Sequence, residues 1–186
     1  YIRRTLMFPY DDGEKFQQAL FLKEGKNAFA EVFREPPVST SQVIHPDRYF
    51  NKVKPTEPEL PKPIRRAKPF VNGTLGELDE TILLRQYVNE QAAGELSPRL
   101  KGATYRIDEA KPDHRMMLVY VSEWQDEDSA SRYFDAYQKV MQGKWKNVEF
   151  TSRKPNHIAG KCADGYFALT RQGTRVTSQE GFAQPL

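Results

Sequence analysis

The segment 36–49 reads Pro36-Pro37-Val38-Ser39-Thr40-Ser41-Gln42-Val43-Ile44-His45-Pro46-Asp47-Arg48-Tyr49, and it gathers more chemically able residue types than any comparable window of the 186-residue sequence. Hydroxyls, a carboxamide, an imidazole, a guanidinium and a phenol lie within a short length of chain. Two readings of His45 follow. Its ring can tie a loop down as a structural histidine, or it can be a polar group presented to a substrate or to a metal-bound intermediate.

The elements that must position these groups are short. Two prolines stop the preceding apolar helix, because the ring removes a donor and clashes with the earlier turn. Ser39 or Thr40 can cap a new helix; with Ser39 as the cap, Gln42 stands where its side chain can reach back to the cap's backbone amide. Val43 and Ile44 then face inward. Pro46 disfavours helical geometry at the residue before it, so His45 is expected at the helix end with an extended backbone, its ring fixed by Asp47, Arg48 or Tyr49.

Elsewhere catalytic equipment is sparse. The sequence contains no His-Glu-x-x-His, no Gly-x-Ser-x-Gly, no phosphate-cradling glycine loop and no dinucleotide fingerprint. His45, His114 and His157 are the three histidines, and their spacing gathers no zinc site. His114 reads as a solvated loop residue and His157 as loop structure. Asp126-Glu127-Asp128 is better explained by a helix start, where acids complement the positive end of the dipole. Cys162 is the sole cysteine, which excludes an internal disulfide and a thiolate cluster.

A balance of 28 basic against 25 acidic side chains leaves +3, too little to argue for nucleic acid as an obligate partner. The clusters Arg65-Arg66-Ala67-Lys68, Lys144-Trp145-Lys146 and Arg153-Lys154 read as solvated faces. No apolar run approaches the roughly 20 residues of a membrane helix, and no signal-peptide pattern opens the chain. A first residue of Tyr1 suggests a piece of something longer. Nothing in the pattern specifies a substrate or an oligomeric state.

In chain order, a short apolar opening leads to a turn at Pro9-Tyr10-Asp11-Asp12-Gly13. A helix is expected from Glu14 with Phe16, Ala19 and Leu20 on one face, stopping at Gly25. A second should start near Asn27, with Ala28, Phe29, Val32 and Phe33 buried. The prolines at 55, 58, 61, 63 and 69 alternate with charges and predict an extended linker or strap. Thr74 and Glu77 are spaced as a capping box for a helix ending near Ala93-Gly94, whose wide apolar stripe argues burial on more than one side. Strands are expected over 102–108, 116–124 and 148–151, the second central in its sheet, with a helix from Asp126 to Gly143 whose aromatic stripe is core. Residues 165–171 and 174–178 pattern as a hairpin about Gln172-Gly173. The division is a helical lobe over 1–53, a proline-rich linker over 54–72 and a sheet domain over 73–186. The fold class is α+β: short N-terminal helices plus an antiparallel sheet with helices on one face, a ferredoxin-like variant.

A resemblance adds to this. Phe8-Pro9-Tyr10, Gly13, Phe16, then Pro36-Pro37-x-Ser39-Thr40-x-Gln42-x-x-His45-Pro46-x-x-Tyr49, then Gly76-Glu77 and the Trp124 strand end resemble the C-terminal part of a group of exported bacterial zinc metallopeptidases of gluzincin type. The proline-proline to tyrosine motif carries most of it, over a match from about Phe8 to Val176. Ser41 stands where the family motif has an acidic residue, which leaves that position without a carried-over role.

The resemblance implies that the His-Glu-x-x-His helix and its zinc belong to an upstream catalytic segment, and that this chain holds no cofactor of its own. It further implies an extracytoplasmic or secreted bacterial parent. Within it, Ser39, Thr40, Gln42, His45, Arg48 and Tyr49 would face a peptide substrate, with His45 or Tyr49 donating a hydrogen bond to the oxyanion formed as metal-bound water attacks. The alternative is a self-sufficient α+β module that binds a ligand or a protein. Bare apolar surface on the first two helices would favour the former, and a bare apolar sheet face the latter.

Overall fold

Nine residues, Met116–Trp124, form the strand around which the rest assembles, because their apolar side chains fall on both faces. The computed structural model describes residues 2–63, 67–111 and 113–186. Tyr1, the Arg65-Arg66 part of the first basic cluster and Pro112 lie outside the described residues. The helices are α1 (Ile2–Glu24), α2 (Ala28–Arg34), α3 (Thr40–Ile44), α4 (Pro46–Phe50), α5 (Glu77–Tyr87), α6 (Glu90–Leu96) and α7 (Glu127–Lys144). The strands are β1 (Ala67–Leu75), β2 (Leu100–Ala110), β3 (Met116–Trp124), β4 (Glu149–Lys154), β5 (His157–Cys162), β6 (Gly165–Gln172) and β7 (Arg175–Phe182).

The seven strands make one antiparallel sheet in the order β1-β2-β3-β7-β6-β5-β4. This is the expected α+β architecture. The variation on a ferredoxin-like pattern lies in the pairing: β1 to β3 and β4 to β7 are two meanders of sequence neighbours, joined where β3 meets β7. As expected, β3 is flanked on both sides.

Helices α5, α6 and α7 cover one face. Leu84, Trp124, Tyr133, Val140, Met141, Leu169 and Val176 form its core, each 1% exposed or less. α7 is capped by Asp126, whose carboxylate accepts from Ser129 N–H at 2.7 Å, and its Tyr133 ring lies 4.1 Å from that of Trp124. The aromatic stripe of α7 is therefore core.

The proline-rich stretch lies on the opposite face as a strap. Thr56 N–H donates to Lys101 O at 2.9 Å, the Thr104 hydroxyl donates to Pro58 O, and Arg106 Nη2 donates to Pro61 O at 3.0 Å. Leu60 packs with Met117, Val119 and Phe182. Gly102 permits this approach, since a Cβ there would sit 1.9 Å from Thr56 O.

Several expectations need correction. α1 runs unbroken through 9–13, where a turn was expected; Pro9 sits inside it, and an ion pair between Arg4 and Asp12, 2.6 Å apart, spans the proline. Phe29 and Phe33 are exposed instead of buried; only Ala28 of that stripe is fully covered. Residues 67–72 belong to strand β1, not to a linker. The helix expected to reach Ala93 breaks at Val88 and restarts as α6. Strand β5 was not anticipated.

Candidate functional site

The 36–49 segment folds locally much as its residues dictate. Ser39 has extended backbone and its hydroxyl accepts from Gln42 N–H at 3.3 Å, capping α3. The Gln42 side chain reaches back one residue further than expected, Oε1 accepting from Val38 N–H and Nε2 donating to Val53 O, both at 2.8 Å. His45 is non-helical before Pro46, as the proline requires.

Its partner comes from elsewhere: His45 Nε2 lies 2.7 Å from Glu77 Oε1 at the start of α5. Arg48 Nη1 donates to Glu77 Oε2 at 3.0 Å and to Ser41 Oγ at 2.5 Å, and its Nη2 donates to Pro98 O at 2.7 Å. The Glu77 side chain is 3% exposed, so the cationic fork of Arg48 supplies the charge partner that burial demands. Gly76, the N-cap of α5, offers no side chain; Thr40 Oγ1 accepts from Leu78 N–H at 3.3 Å and serves from outside. A Cβ at position 76 would lie 2.6 Å from that oxygen.

The structure thus brings Thr40, Ser41, His45 and Arg48 together around the first turn of α5. It does not bring Tyr49 to them. The Tyr49 hydroxyl donates to Glu35 O at 2.6 Å and its ring meets Phe16 edge-on, 5.1 Å between centroids; burial raises its pKa. Ser39, Ser41 and Arg48 also line a hollow of about 260 Å³ with Pro98 and Gln125. His114 pairs with Glu109 at 2.5 Å on an exposed turn, and His157 begins β5.

A second constellation, which the sequence reading missed, lies one turn further along α5. Glu80 is 1% exposed. Its Oε1 accepts from the Tyr120 hydroxyl, which lies 3.2 Å from the Tyr133 hydroxyl, while its Oε2 is buried without a hydrogen-bond partner. Burial pushes the Glu80 carboxyl up to about 7 against the pull of the tyrosine hydroxyls, and drives Tyr120 and Tyr133 well above their ordinary range.

Glu80 lines a cavity of about 330 Å³ between α5, α7 and the sheet. Tyr120, Tyr137 and Val140 share its buried end; Leu75, Leu83, Tyr87, Tyr105 and Leu118 form a half-buried rim, and the exposed Lys144 stands at the mouth. Lys144 is paired with Glu180, which also accepts from the Tyr137 and Ser178 hydroxyls at 2.8 Å each. One signal could have found Glu80: an acid four positions before Leu84, on the same face as the apolar stripe that α5 buries.

Among the described residues, no group of three or more His, Cys, Asp or Glu side chains is placed to hold a metal ion, and no helix is long and apolar enough to cross a membrane. The arrangement defines an α+β domain with an aromatic-walled cavity on the helical face of its sheet. The family model described as "Domain of unknown function (DUF8575)" matches residues 71–184, and the chain belongs to that family. Neither a curated protein nor a solved structure gives a match. The family match contains Glu77 and the Glu80 cavity and begins after the 36–49 segment.

Proposed function

We propose that this chain is the non-catalytic C-terminal region of a zinc metallopeptidase-like protein, with α1 and α2 packed against the catalytic segment of the same parent. The carrying observation is the bare apolar surface of those two helices. Leu22 and Phe33 are each 86% exposed, Tyr10, Leu6 and Phe29 at least 60%, and Phe21 54%. Patches of this kind on a polar chain mark contact surfaces, and burying each such side chain contributes roughly 1.5–3 kcal/mol.

The resemblance carried by 36–49 supports the same partner. On this reading the zinc is held by the upstream segment of the parent, and this chain's share is shape. In that assembly His45 is the candidate for touching a bound peptide, whereas Tyr49 would first have to give up Glu35 O. The reading also places the parent outside the bacterial cytoplasm.

The test uses the full-length parent. Leu22→Glu with Phe33→Glu should lower peptide hydrolysis at least about tenfold, a loss of 1.4 kcal/mol or more at the interface, while the thermal midpoint of the isolated chain stays put. Unchanged hydrolysis, or a parent without His-Glu-x-x-His, removes the reading. A His45→Ala parent that still turns over normally leaves His45 only its structural role at Glu77. A ligand-binding module is the second reading, and the cavity beside Glu80 favours it.

A further inference from the structure

The helical face of the sheet contains a carboxyl group whose surroundings are only half built. Glu80 is 1% exposed, and one oxygen takes the Tyr120 hydroxyl while the other takes nothing. A buried acceptor without a partner costs about 1–3 kcal/mol. Native chains pair such atoms or use them. Here the orphan belongs to a residue lining a half-open cavity of about 330 Å³, within the range of small-molecule sites.

The charge balance selects the ligand. Lys144, the cation at the mouth, is already neutralised by Glu180, which also holds the Tyr137 hydroxyl. Asp79 adds negative potential at Glu80. When ionised, Glu80 is therefore the one formal charge among the described lining residues that lacks a counter-charge. Around it Tyr87, Tyr105, Tyr120 and Tyr137 present aromatic walls, and the negative faces of such rings attract cations.

We propose that this cavity is a binding site for a small ligand with a protonated amine and an apolar body. The ammonium bonds Glu80 Oε2 at the buried end, and the body lies against Leu83 and the rim tyrosines. An anionic ligand would meet Glu80 as a like charge, and a neutral alcohol would satisfy Oε2 without neutralising it. The site makes no use of α1 or α2, so it can fail while the packing of those helices stands, and the reverse.

The 186-residue chain is titrated calorimetrically with 2-phenylethylamine, 2-phenylethanol and 3-phenylpropionate, and then as Glu80→Gln and Leu83→Trp. The amine should bind tightest. Glu80→Gln, which keeps the shape and an acceptor for Tyr120, should weaken it at least about 30-fold, the loss expected when one partner of a buried charge pair is neutralised. Leu83→Trp, which fills the rim without touching the carboxyl, should abolish binding of the amine. Absence of amine binding, equal binding of the alcohol, preference for the carboxylate, or binding unaffected by either substitution overturns the proposal. Leu83→Trp keeps the test decisive should Glu80→Gln not fold.

Discussion

Glu77 and Glu80 stand one turn apart on the same helix, both nearly inaccessible to water, and the protein treats them in opposite ways. Glu77 is gripped by Arg48 and His45 from a segment some thirty positions earlier, so its charge joins two parts of the molecule. Glu80 has the pull of the Tyr120 and Tyr133 hydroxyls, no hydrogen-bond partner on its second oxygen, and a place in the lining of a cavity. A saturated buried carboxylate is mortar. An unsaturated one is a site with a task, and the difference separates the structural from the functional half of α5.

The sharpest way to break the contrast is pH. The Glu80 carboxyl is raised from 4.5 to about 7 in the fold. Below pH 4.5 both folded and unfolded chains hold the proton; between 4.5 and 7 only the unfolded chain releases it, which favours unfolding; above 7 both are ionised. Stability at this group should therefore fall as pH rises from about 4.5 to about 7 and then level off, by on the order of 3 kcal/mol. Asp79, Tyr120 and Tyr133 face the group, and the tyrosines stay protonated throughout. Urea midpoints across that window should show the fall in the native chain and lose it in Glu80→Gln.

At Glu77 the effect has the other character. Glu77→Ala should cost about 2 kcal/mol in urea denaturation, less than for a fully enclosed pair because Arg48 and His45 keep 27% and 30% of their side chains exposed. Thr40→Ala, which removes the oxygen serving Leu78 N–H, should cost about 1 kcal/mol, the usual worth of a cap. Phe33→Ser, on the bare face of α2, should change the stability of the isolated chain by under about 0.5 kcal/mol. A large loss there would mean that the face is already covered by a second copy.

Local rules read well where one element decides its own form. Met116–Trp124 shows its apolar run, α7 its acidic start and 3.6-residue stripe, and His45 its pre-proline backbone. They read poorly where a partner is distant. The Glu77 carboxylate lies 32 positions from His45, and no spacing rule connects them. Strand β1 carries Pro69 and is exposed along most of its length, as an edge strand tolerates, so no alternation shows before Gly73. In β5, Gly160 and Lys161 interrupt the signal of Ile158 and Cys162. Of the site residues, those of 36–49 were visible by type while their partners were not; Glu80 was hidden because a buried acid looks like a surface acid until the helix is packed.

The proline strap sets an order of events. Residues 54–63 leave the ribosome before β2 and β3, yet their resting place on Lys101, Thr104 and Arg106 consists of chain synthesised later. Residues 54–63 therefore have no seat until residues beyond 100 emerge and pair. Until the strap seats, Met117, Val119 and Phe182 lack the Leu60 side chain that packs against them.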